Sequence, residues 1–147
     1  MQIRRLNAAD QALARELFVT MAGVFGEDSD KLSDDYLARL LARDGFWAIA
    51  AIDGEQVVGG LTAHTLPMTA TETSVVFLYD LAVRRGHQRR GVGRLLVQAL
   101  REAAKAAGAS EVFVGADNAD EQALGFYRAM GGEAALATFF SFPLHKA

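Results

Sequence analysis

A loop rich in arginine and glycine, between an apolar strand and a long helix, is the most chemically informative segment of this chain. It spans residues 84–94 and reads RRGHQRRGVGR. The first N–H groups of a helix have no partner within the helix, and the helix dipole makes that end electropositive. Gly91 and Gly93 would let a phosphate group approach the backbone closely. Four side chains add donors for phosphate oxygens: Gln88, Arg89, Arg90 and Arg94. Glycines alone would indicate only a tight turn, but glycines at this arginine density favour an anion site.

Two familiar nucleotide-binding loops do not fit this segment. Gly86 and Gly91 have the separation of a nucleoside-triphosphate loop, but Val92-Gly93 stands where Lys-Ser or Lys-Thr is required. Gly91 and Gly93 begin a dinucleotide fingerprint, but Leu96 replaces its third glycine and no parallel βαβ unit precedes it. The anion is therefore expected to belong to another class of ligand.

Charge is distributed unevenly along the chain. The net charge is −3, from 15 basic and 18 acidic residues. Residues 1–83 carry 6 basic and 12 acidic residues (−6), whereas residues 84–147 carry 9 and 6 (+3). An acidic cluster in the first half comprises Glu27, Asp28, Asp30, Asp34 and Asp35. Charged runs are usually solvated surface. The acidic cluster and the arginine-rich loop together also fit a protein that binds a polyanion and a polycation at separate places.

The composition narrows the classes of function. The chain has 147 residues, 51% of them hydrophobic and 22% charged, which is typical of one globular domain over residues 1–147. It contains no cysteine, so an enzyme thiol cannot serve as a nucleophile and a thiolate metal site is excluded. The three histidines show no metal-ligand spacing, so we expect no metal.

Strands and helices alternate in the second half of the chain, after a hairpin in the first. A hairpin turn at Asp53-Gly54 joins two predicted strands, and a further predicted strand covers Ser74–Val83. The clearest predicted helix spans Gly91–Ala107, and a last strand is predicted over Ala135–Phe142. This pattern predicts a mixed α/β sheet with helices on both faces.

Two motifs in this order resemble the GNAT superfamily of N-acetyltransferases. The segment QRRGVG (residues 88–93), after the apolar Leu81-Ala82-Val83, is similar to that superfamily's coenzyme A loop. The segment ALGFYRAMG (residues 123–131) is similar to its other signature, a helix with a tyrosine before a closing glycine. The resemblance covers the whole chain. It implies a mixed, mostly antiparallel sheet of about six or seven strands flanked by about four helices, with acetyl-CoA as co-substrate.

The resemblance also implies roles for individual residues on the coenzyme A side. Pantetheine would lie along Leu81, Ala82 and Val83 beside a bulge near these residues, and the loop from Gln88 to Arg94, including Val92, would hold the pyrophosphate. Tyr127 would protonate the departing thiolate. Asp120 stands where many members have asparagine, with Asn118 close by, and both are expected near coenzyme A.

Five further segments are similar to the type I aminoglycoside 3-N-acetyltransferases, which acetylate the 3-amino group of gentamicin-like antibiotics. They are FWAIAA (46–51), VVGGL (57–61), LP (66–67), LYDLAV (78–83) and GAD (115–117). The acidic segment 25–28 is similar too, whereas Phe140-Ser141-Phe142-Pro143 replaces acidic residues of that family's tail. The resemblance implies acetylation of an aminoglycoside, giving resistance. One alternative is a relative that acetylates another amine, such as a polyamine, an amino acid or a protein N-terminus. Another is a catalytically inactive acyl-CoA-binding sensor or an interaction module.

Asp80 is the candidate for the amine side of such a reaction. A carboxylate inside an apolar strand is costly unless it is paired or functional, and strand alternation would put Asp80 on one face with Leu78 and Ala82. We expect Asp80 to bind the target ammonium and to accept its proton; pairing with a structural arginine is the alternative. Glu27, Asp28 and Asp117 are expected to help hold a polycationic substrate.

The remaining expectations concern partners and location. His64, in a strand beside the expected cleft, is either a packing residue or an aid to proton transfer. The acidic chain has no aromatic-interleaved basic stripe, so we expect no nucleic-acid partner. No apolar run is long enough to span a bilayer and no secretory signal is recognised, so a cytoplasmic protein is expected. The phenylalanines at 139, 140 and 142 are compatible with a homodimer interface or with core.

Overall fold

The structure is a computed structural model that describes residues 1–27 and 31–145. The chain divides into two compact units, Met1–Gly115 and Ala116–Ala147. The first unit contains the sheet and three helices, and the second contains one helix and the C-terminal segment. That all 147 residues form one domain stays a prediction.

The first unit is built on a mixed sheet whose strands follow one another in chain order. The elements of this unit are β1 (Gln2–Arg5), α1 (Gln11–Val24), α2 (Asp34–Leu41), β2 (Phe46–Asp53), β3 (Gln56–Pro67), β4 (Ser74–Val83), a 3₁₀ turn (Arg85–His87), α3 (Val92–Ala106) and β5 (Ala109–Val114). The sheet order is β1-β2-β3-β4-β5, and each pair is antiparallel except β4–β5, which is parallel. The predicted fold class, a mixed and mostly antiparallel sheet with flanking helices, is confirmed.

The number of strands is smaller than expected. The described residues form five strands rather than six or seven, because the strand predicted over 135–142 does not form. Residues 132–143 have no regular secondary structure. The large apolar side chains of residues 136–144 are 80–96% exposed: Leu136, Phe139, Phe140, Phe142 and Leu144. The residue types favour a strand, but a strand also needs a neighbour for its backbone hydrogen bonds.

The two faces of the sheet are covered by different helices. The core on one face joins Ala14 and Leu17 of α1 with Ala48 and Ala50 of β2. Since side chains alternate along a strand, Trp47, Ile49 and Ala51 point to the opposite face, where they are also buried. Helix α3 contacts β2, β3, β4 and β5 and covers this second face with a buried stripe that includes Leu96 and Leu100.

A glycine pair in β3 allows α1 to lie close to the middle of the sheet. A side chain at Gly60 would collide with Leu17 of α1 and would lie 2.6 Å from the carbonyl oxygen of Ile49. One at Gly59 would lie 2.6 Å from the carbonyl oxygen of Ala82 in β4. Gly60 pairs with Ala82 and Gly59 pairs with Val83, so the glycines support the C-terminal end of β4.

Helix ends follow the expected chemistry where their sequence is distinctive. The hydroxyl of Ser33 accepts a hydrogen bond from the N–H of Tyr36 (3.1 Å) and caps α2. Among the helices of the described ranges, none is both long and apolar enough to cross a membrane.

Candidate active site

Strand β4 contains a bulge at Tyr79. Asp80 pairs with Thr62 of β3, but the next β3 residue, Ala63, pairs with Leu78, so Tyr79 is an extra residue on β4. The resemblance had implied a bulge near Leu81-Ala82-Val83. Those three residues instead pair in regular register with Leu61, Gly60 and Gly59, respectively.

The bulge changes which side chains share a face of the sheet. Asp80 lies on the face of the sheet that α1 covers, as its pairing with Thr62 shows. Ala82 lies on the same face. Leu78 pairs with Ala63 and lies on the opposite face, so the expectation that Asp80 and Leu78 share a face is wrong. The extra residue at Tyr79 shifts the alternation by one position between them.

Asp80 is a half-buried carboxylate. Burial raises the pKa of its carboxyl group, and the negative charge of Glu27 raises that pKa further. Within the described ranges, Asp80 forms no ion pair, so the alternative of a structural arginine partner is not observed. Since its charge contributes to this shift, Glu27 lies within electrostatic range of Asp80; that the two groups bind one cation stays a prediction. Asp28 lies outside the described residues.

The parallel pairing of β4 with β5 stops before β4 ends. In the part of the chain that the structure describes, this ladder runs only as far as Leu78↔Val114, while β4 continues along β3 to Val83. The β5-facing edge of β4 therefore lacks a strand partner beyond Leu78. The backbone N–H and C=O groups along this edge can form hydrogen bonds with an extended polar ligand.

The loop after β4 is fixed at its start by two side chains. Arg84 donates from Nε to the carbonyl oxygen of Val57 (3.0 Å) and from Nη2 to the hydroxyl of Thr20 (3.4 Å), so it ties the loop to β3 and α1. Gln88 donates from Nε2 to the carbonyl oxygen of Val83 (2.9 Å). Arg84 thus has a structural role, and the Gln88 side chain closes the loop back onto β4.

The backbone then enters α3 through two residues with positive φ. Arg89 has φ 62° and Gly91, the N-cap position of α3, has φ 81°. Positive φ is uncommon for a residue other than glycine and concentrates at functional sites. Val92 is buried, so it can meet a ligand only through its backbone N–H, and Gly93 has no side chain to block the same approach.

The arginines of this loop present their charge to solvent. Arg85, Arg89, Arg90 and Arg94 are exposed, and the described residues place no carboxylate within ion-pair distance of them. Their charge adds to that of the α3 N-terminus, where the first backbone N–H groups have no helical acceptor. The arrangement can bind a phosphate or pyrophosphate group.

The second unit contains the other expected residues. A carboxylate oxygen of Asp117 accepts a hydrogen bond from the N–H of Ala119 (2.9 Å), and one of Asp120 accepts from the N–H of Ala123 (3.0 Å). Asp120 thereby caps α4 (Glu121–Ala129), while Asn118 is exposed. Asp117 and Asp120 each have a local structural role, and a contact of Asp120 with coenzyme A stays a prediction.

Tyr127 lies on α4 and is half-buried. Burial raises the pKa of its phenol, and the negative charge of Asp120 raises that pKa further. The group therefore keeps its proton at neutral pH and is available as a proton donor. Its backbone carbonyl accepts a hydrogen bond from the N–H of Gly132 (3.0 Å), next to Gly131 with φ 91°, which ends the helix.

An open cleft lies on the Asp80 face of the sheet beside His64, and sequence reasoning missed that Tyr79 lines it. Its volume is about 520 Å³, and its lining includes Asp44, His64, Phe77 and Tyr79. The signal in the sequence is weak, because β4 is apolar almost throughout and its period-2 alternation does not reveal the extra residue.

The chain was compared with known proteins. The model of the acetyltransferase (GNAT) family matches residues 11–131. A search of curated proteins gives no match. A crystal structure of an aminoglycoside acetyltransferase from an uncultured soil metagenomic sample, HMB0005, is 33% identical with a TM-score of 0.93, and the match covers 98% of each chain.

Two further solved structures are similar. A second aminoglycoside acetyltransferase from an uncultured soil metagenomic sample, meta-AAC0020 in complex with sisomicin, is 30% identical with a TM-score of 0.90, covering 97% of this chain and 95% of that one. The aminoglycoside N-acetyltransferase AAC(6')-Iy in complex with CoA shares only the fold, at 18% identity and a TM-score of 0.77, with 98% and 95% covered.

This chain belongs to the acetyltransferase (GNAT) family. It is therefore an acyl-transferring enzyme, and acetyltransferases of this family use acetyl-CoA. The pyrophosphate of this co-substrate is an anion of the kind that the loop before α3 can bind.

The loop arginines generate the first prediction. Replacing Arg89 and Arg90 together by glutamine should weaken coenzyme A binding by about tenfold, because charge-assisted hydrogen bonds to phosphate are lost. The melting temperature should stay within about a degree, since surface changes are usually worth less than about 0.5 kcal/mol. Isothermal titration calorimetry with coenzyme A measures the effect.

Arg39→Gln, on the exposed side of α2, is the matched control and should bind coenzyme A like the wild type. Affinity that is equal in the Arg89/Arg90 variant and in this control would contradict the assignment of the loop as the phosphate site.

Proposed function

We propose that this enzyme transfers the acetyl group of acetyl-CoA directly to an amino group of an aminoglycoside antibiotic. The observation that carries the proposal is the Asp80 carboxylate. It is half-buried, has no ion-pair partner among the described residues, and lies in the electrostatic field of Glu27. Two carboxylates held in this way favour a cationic substrate. Two solved structures named as aminoglycoside acetyltransferases, at 33% and 30% identity, support the substrate class.

On the amine side, Asp80 binds the ammonium group and accepts its proton, directly or through a water molecule. Its raised pKa brings the carboxylate closer to the basicity that a general base needs. Glu27 adds negative charge that attracts a polycation. Asp28 and Asp117 are proposed as further contacts for the other amino groups of the substrate.

On the acetyl-CoA side, the loop from Gln88 to Arg94 binds the pyrophosphate, and pantetheine extends along the unpaired edge of β4. The support for the second assignment is the early end of the β4–β5 ladder, which leaves backbone groups of Leu81, Ala82 and Val83 without a strand partner on that edge. Asn118 and Asp120 are proposed as additional contacts with coenzyme A.

In the transfer step, the neutral amine attacks the thioester carbonyl carbon, so that a C–N bond forms and the C–S bond breaks. The proton that Asp80 took from the ammonium group passes to solvent, and the acylated nitrogen then gives its surplus proton to the freed carboxylate. The departing thiolate takes a proton from the phenol of Tyr127, whose raised pKa keeps it protonated at neutral pH. No acyl-enzyme forms on sulfur, because the chain has no cysteine.

Finer features of the assignment rest on the family resemblance. We propose the 3-amino group as the acetylated position and antibiotic resistance as the resulting effect. A cytoplasmic location and the absence of a metal and of a nucleic-acid partner stay predictions. Acetylation of another small amine, a polyamine or a protein N-terminus is the alternative that the experiment below must separate.

The substrate assignment predicts release of free coenzyme A thiol from acetyl-CoA with gentamicin or sisomicin, and much less release with spermidine or N-terminal peptides. Asp80→Asn should reduce kcat with the antibiotic by about 10²–10⁴-fold, the usual contribution of a general base. Its affinity for coenzyme A should stay near that of the wild type. The absence of cysteine keeps the protein silent in a thiol assay.

Glu55→Gln, an exposed acid in the turn between β2 and β3, is the control variant and should keep full turnover. Turnover with peptides or spermidine alone would replace the antibiotic by another amine. Tight coenzyme A binding without turnover of any of these amines would favour the acyl-CoA sensor.

The pair formed by Asp80 and Glu27 predicts a specific pH dependence. Catalysis needs ionised Asp80, so kcat/KM should fall as the pH decreases through the raised pKa of that carboxyl group. Glu27→Gln removes one of the two causes of the shift, so the acidic limb should move to lower pH. The measurement is kcat/KM for one aminoglycoside across the acidic range.

Glu55→Gln again provides the comparison, because it removes a carboxylate to which the Asp80 shift is not attributed. An acidic limb at the same pH in wild type and Glu27→Gln would show that Glu27 does not tune the base.

We also propose that two copies associate through the C-terminal segment, residues 136–144. Its three phenylalanines are 80–82% exposed, and residues 134–144 carry no charged side chain. A two-fold contact places the same surface on both copies, so an uncharged segment can meet itself without like-charge repulsion. Three buried phenylalanines would contribute roughly 450–750 Å² per copy, close to the ~800 Å² per partner of a standard interface.

Sedimentation velocity tests this association. The wild type should sediment as a dimer, and the triple variant Phe139→Ser, Phe140→Ser, Phe142→Ser should sediment as a monomer. Val19→Ser, at an exposed apolar position on α1, should leave the dimer intact. A wild type that stays monomeric at every concentration would disprove the proposal.

A further inference from the structure

The bulge in β4 presents two consecutive side chains on one face of the sheet. Asp80 lies on the α1 face through its pairing with Thr62. Tyr79 lies on that same face, because its ring contacts His64 and Phe77, which pair with each other there. An ordinary strand would point Tyr79 and Asp80 in opposite directions. The bulge therefore places an aromatic ring next to the carboxylate that binds the amine.

The ring of Tyr79 is held in place by its neighbours. Its centroid lies 5.8 Å from that of His64 and 5.7 Å from that of Phe77, and both contacts are edge-to-face. His64 also packs on Phe46 (5.5 Å), and Phe77 stacks on Phe113 (4.8 Å, 6° between the planes). Tyr79 is nevertheless 59% exposed, so a rigid aromatic surface is open to a ligand.

The open cleft begins at this ring. Its volume of about 520 Å³ lies within the range of ligand pockets, and it continues from Tyr79 to Asp44 in the turn between α2 and β2. The backbone there is tied to β3, since the N–H of Thr65 donates to the carbonyl oxygen of Gly45 (2.7 Å). Arg43 and Asp44 both line the far side of the cleft and are exposed, so their charges offset each other, and the Asp44 carboxylate offers an acceptor for an ammonium N–H there.

The spacing suits a substrate of more than one ring. Asp80 pairs with Thr62 and Phe77 pairs with His64, so the two positions are two β3 residues apart, or about 7 Å along the strand. A ligand whose reacting amine lies at Asp80 must extend across Tyr79 to enter the cleft. An ammonium group over the face of tyrosine is attracted by the ring, and a sugar ring packs well on it.

We propose that Tyr79 determines specificity by binding a second, amine-bearing ring of the substrate, with Asp44 attracting an ammonium group on that ring. The inference rests on the proposed function, since it requires a cationic substrate of several rings. His64 is a positioning residue that holds the Tyr79 ring, which assigns it a role other than proton transfer.

Three variants and two substrates test the role of Tyr79. Tyr79→Leu removes the aromatic ring and keeps an apolar side chain, whereas Tyr79→Phe keeps the ring. Tyr36→Leu, an exposed tyrosine on α2 outside the cleft lining, is the matched control. The substrates are sisomicin, which has several rings, and 2-deoxystreptamine, a single-ring diamine, with the KM for acetyl-CoA as an internal reference.

Tyr79→Leu should raise the KM for sisomicin about tenfold, because a desolvated cation–π contact is lost. Its KM values for 2-deoxystreptamine and for acetyl-CoA should change less than twofold. Tyr79→Phe and Tyr36→Leu should behave like the wild type with all three. Asp44→Asn should raise the KM for sisomicin and leave that for 2-deoxystreptamine unchanged.

Two results would overturn the inference. An unchanged KM for sisomicin in Tyr79→Leu would exclude the ring contact, and an equal rise for the one-ring amine would place Tyr79 at the reacting ring instead. A wild type that acetylates no aminoglycoside would refute the proposed function itself, and the inference with it, so the two failures are distinguishable. Equal melting temperatures of the variants show that folding is not the cause.

Discussion

Hydrogen bonding along β4 is the constraint on which the rest of the first unit depends. This strand pairs with β3 over its whole length but with β5 only as far as Leu78, and it carries an extra residue at Tyr79. A fully paired central strand would have no free backbone groups for a ligand and would alternate its side chains strictly. The early end of one ladder and the bulge in the other give β4 an open edge and an open face. The glycines at 59 and 60 make this possible, because they let β3 and α1 support the far end of β4 at close range.

Opposite charges are arranged on either side of this strand in the chain. Before and within β4, Glu27 and Asp80 raise the local negative charge, and burial together with the charge of Glu27 raises the pKa of Asp80. After β4, exposed arginines and the start of α3 form a positive region without local carboxylate partners among the described residues. Neither set is neutralised within the fold. A cationic acetyl acceptor would neutralise the carboxylates, and an anionic acetyl donor would neutralise the arginines. The uneven charge of the sequence is therefore compatible with a reaction of two oppositely charged substrates.

The sequence predicted the elements that local chemistry determines. The Asp53-Gly54 turn joins β2 and β3, and the amphipathic run predicted over Gly91–Ala107 forms α3 (Val92–Ala106). Features that depend on pairing with another segment of the chain could not be predicted from local sequence in the same way. The apolar run of β4 has no alternation that would reveal an extra residue, so the face of Leu78 was assigned wrongly. The phenylalanines near the C-terminus favour a strand by residue type, but no residue pattern states which neighbour would pair with them.

The bulge also explains why one short segment can serve both binding and selectivity. Regular alternation allows a strand to present one functional side chain to a given face every two residues, about 7 Å apart. The extra residue removes that spacing, so Tyr79 and Asp80 become immediate neighbours on the face opposite to α3. Their exposures differ: the ring is largely open to solvent, whereas the carboxylate is half-buried and its pKa is raised. A group that must exchange protons benefits from partial burial, and a group that must recognise a ligand surface benefits from exposure. The single extra residue in β4 therefore places an exposed aromatic ring beside a half-buried carboxylate on one face of the sheet.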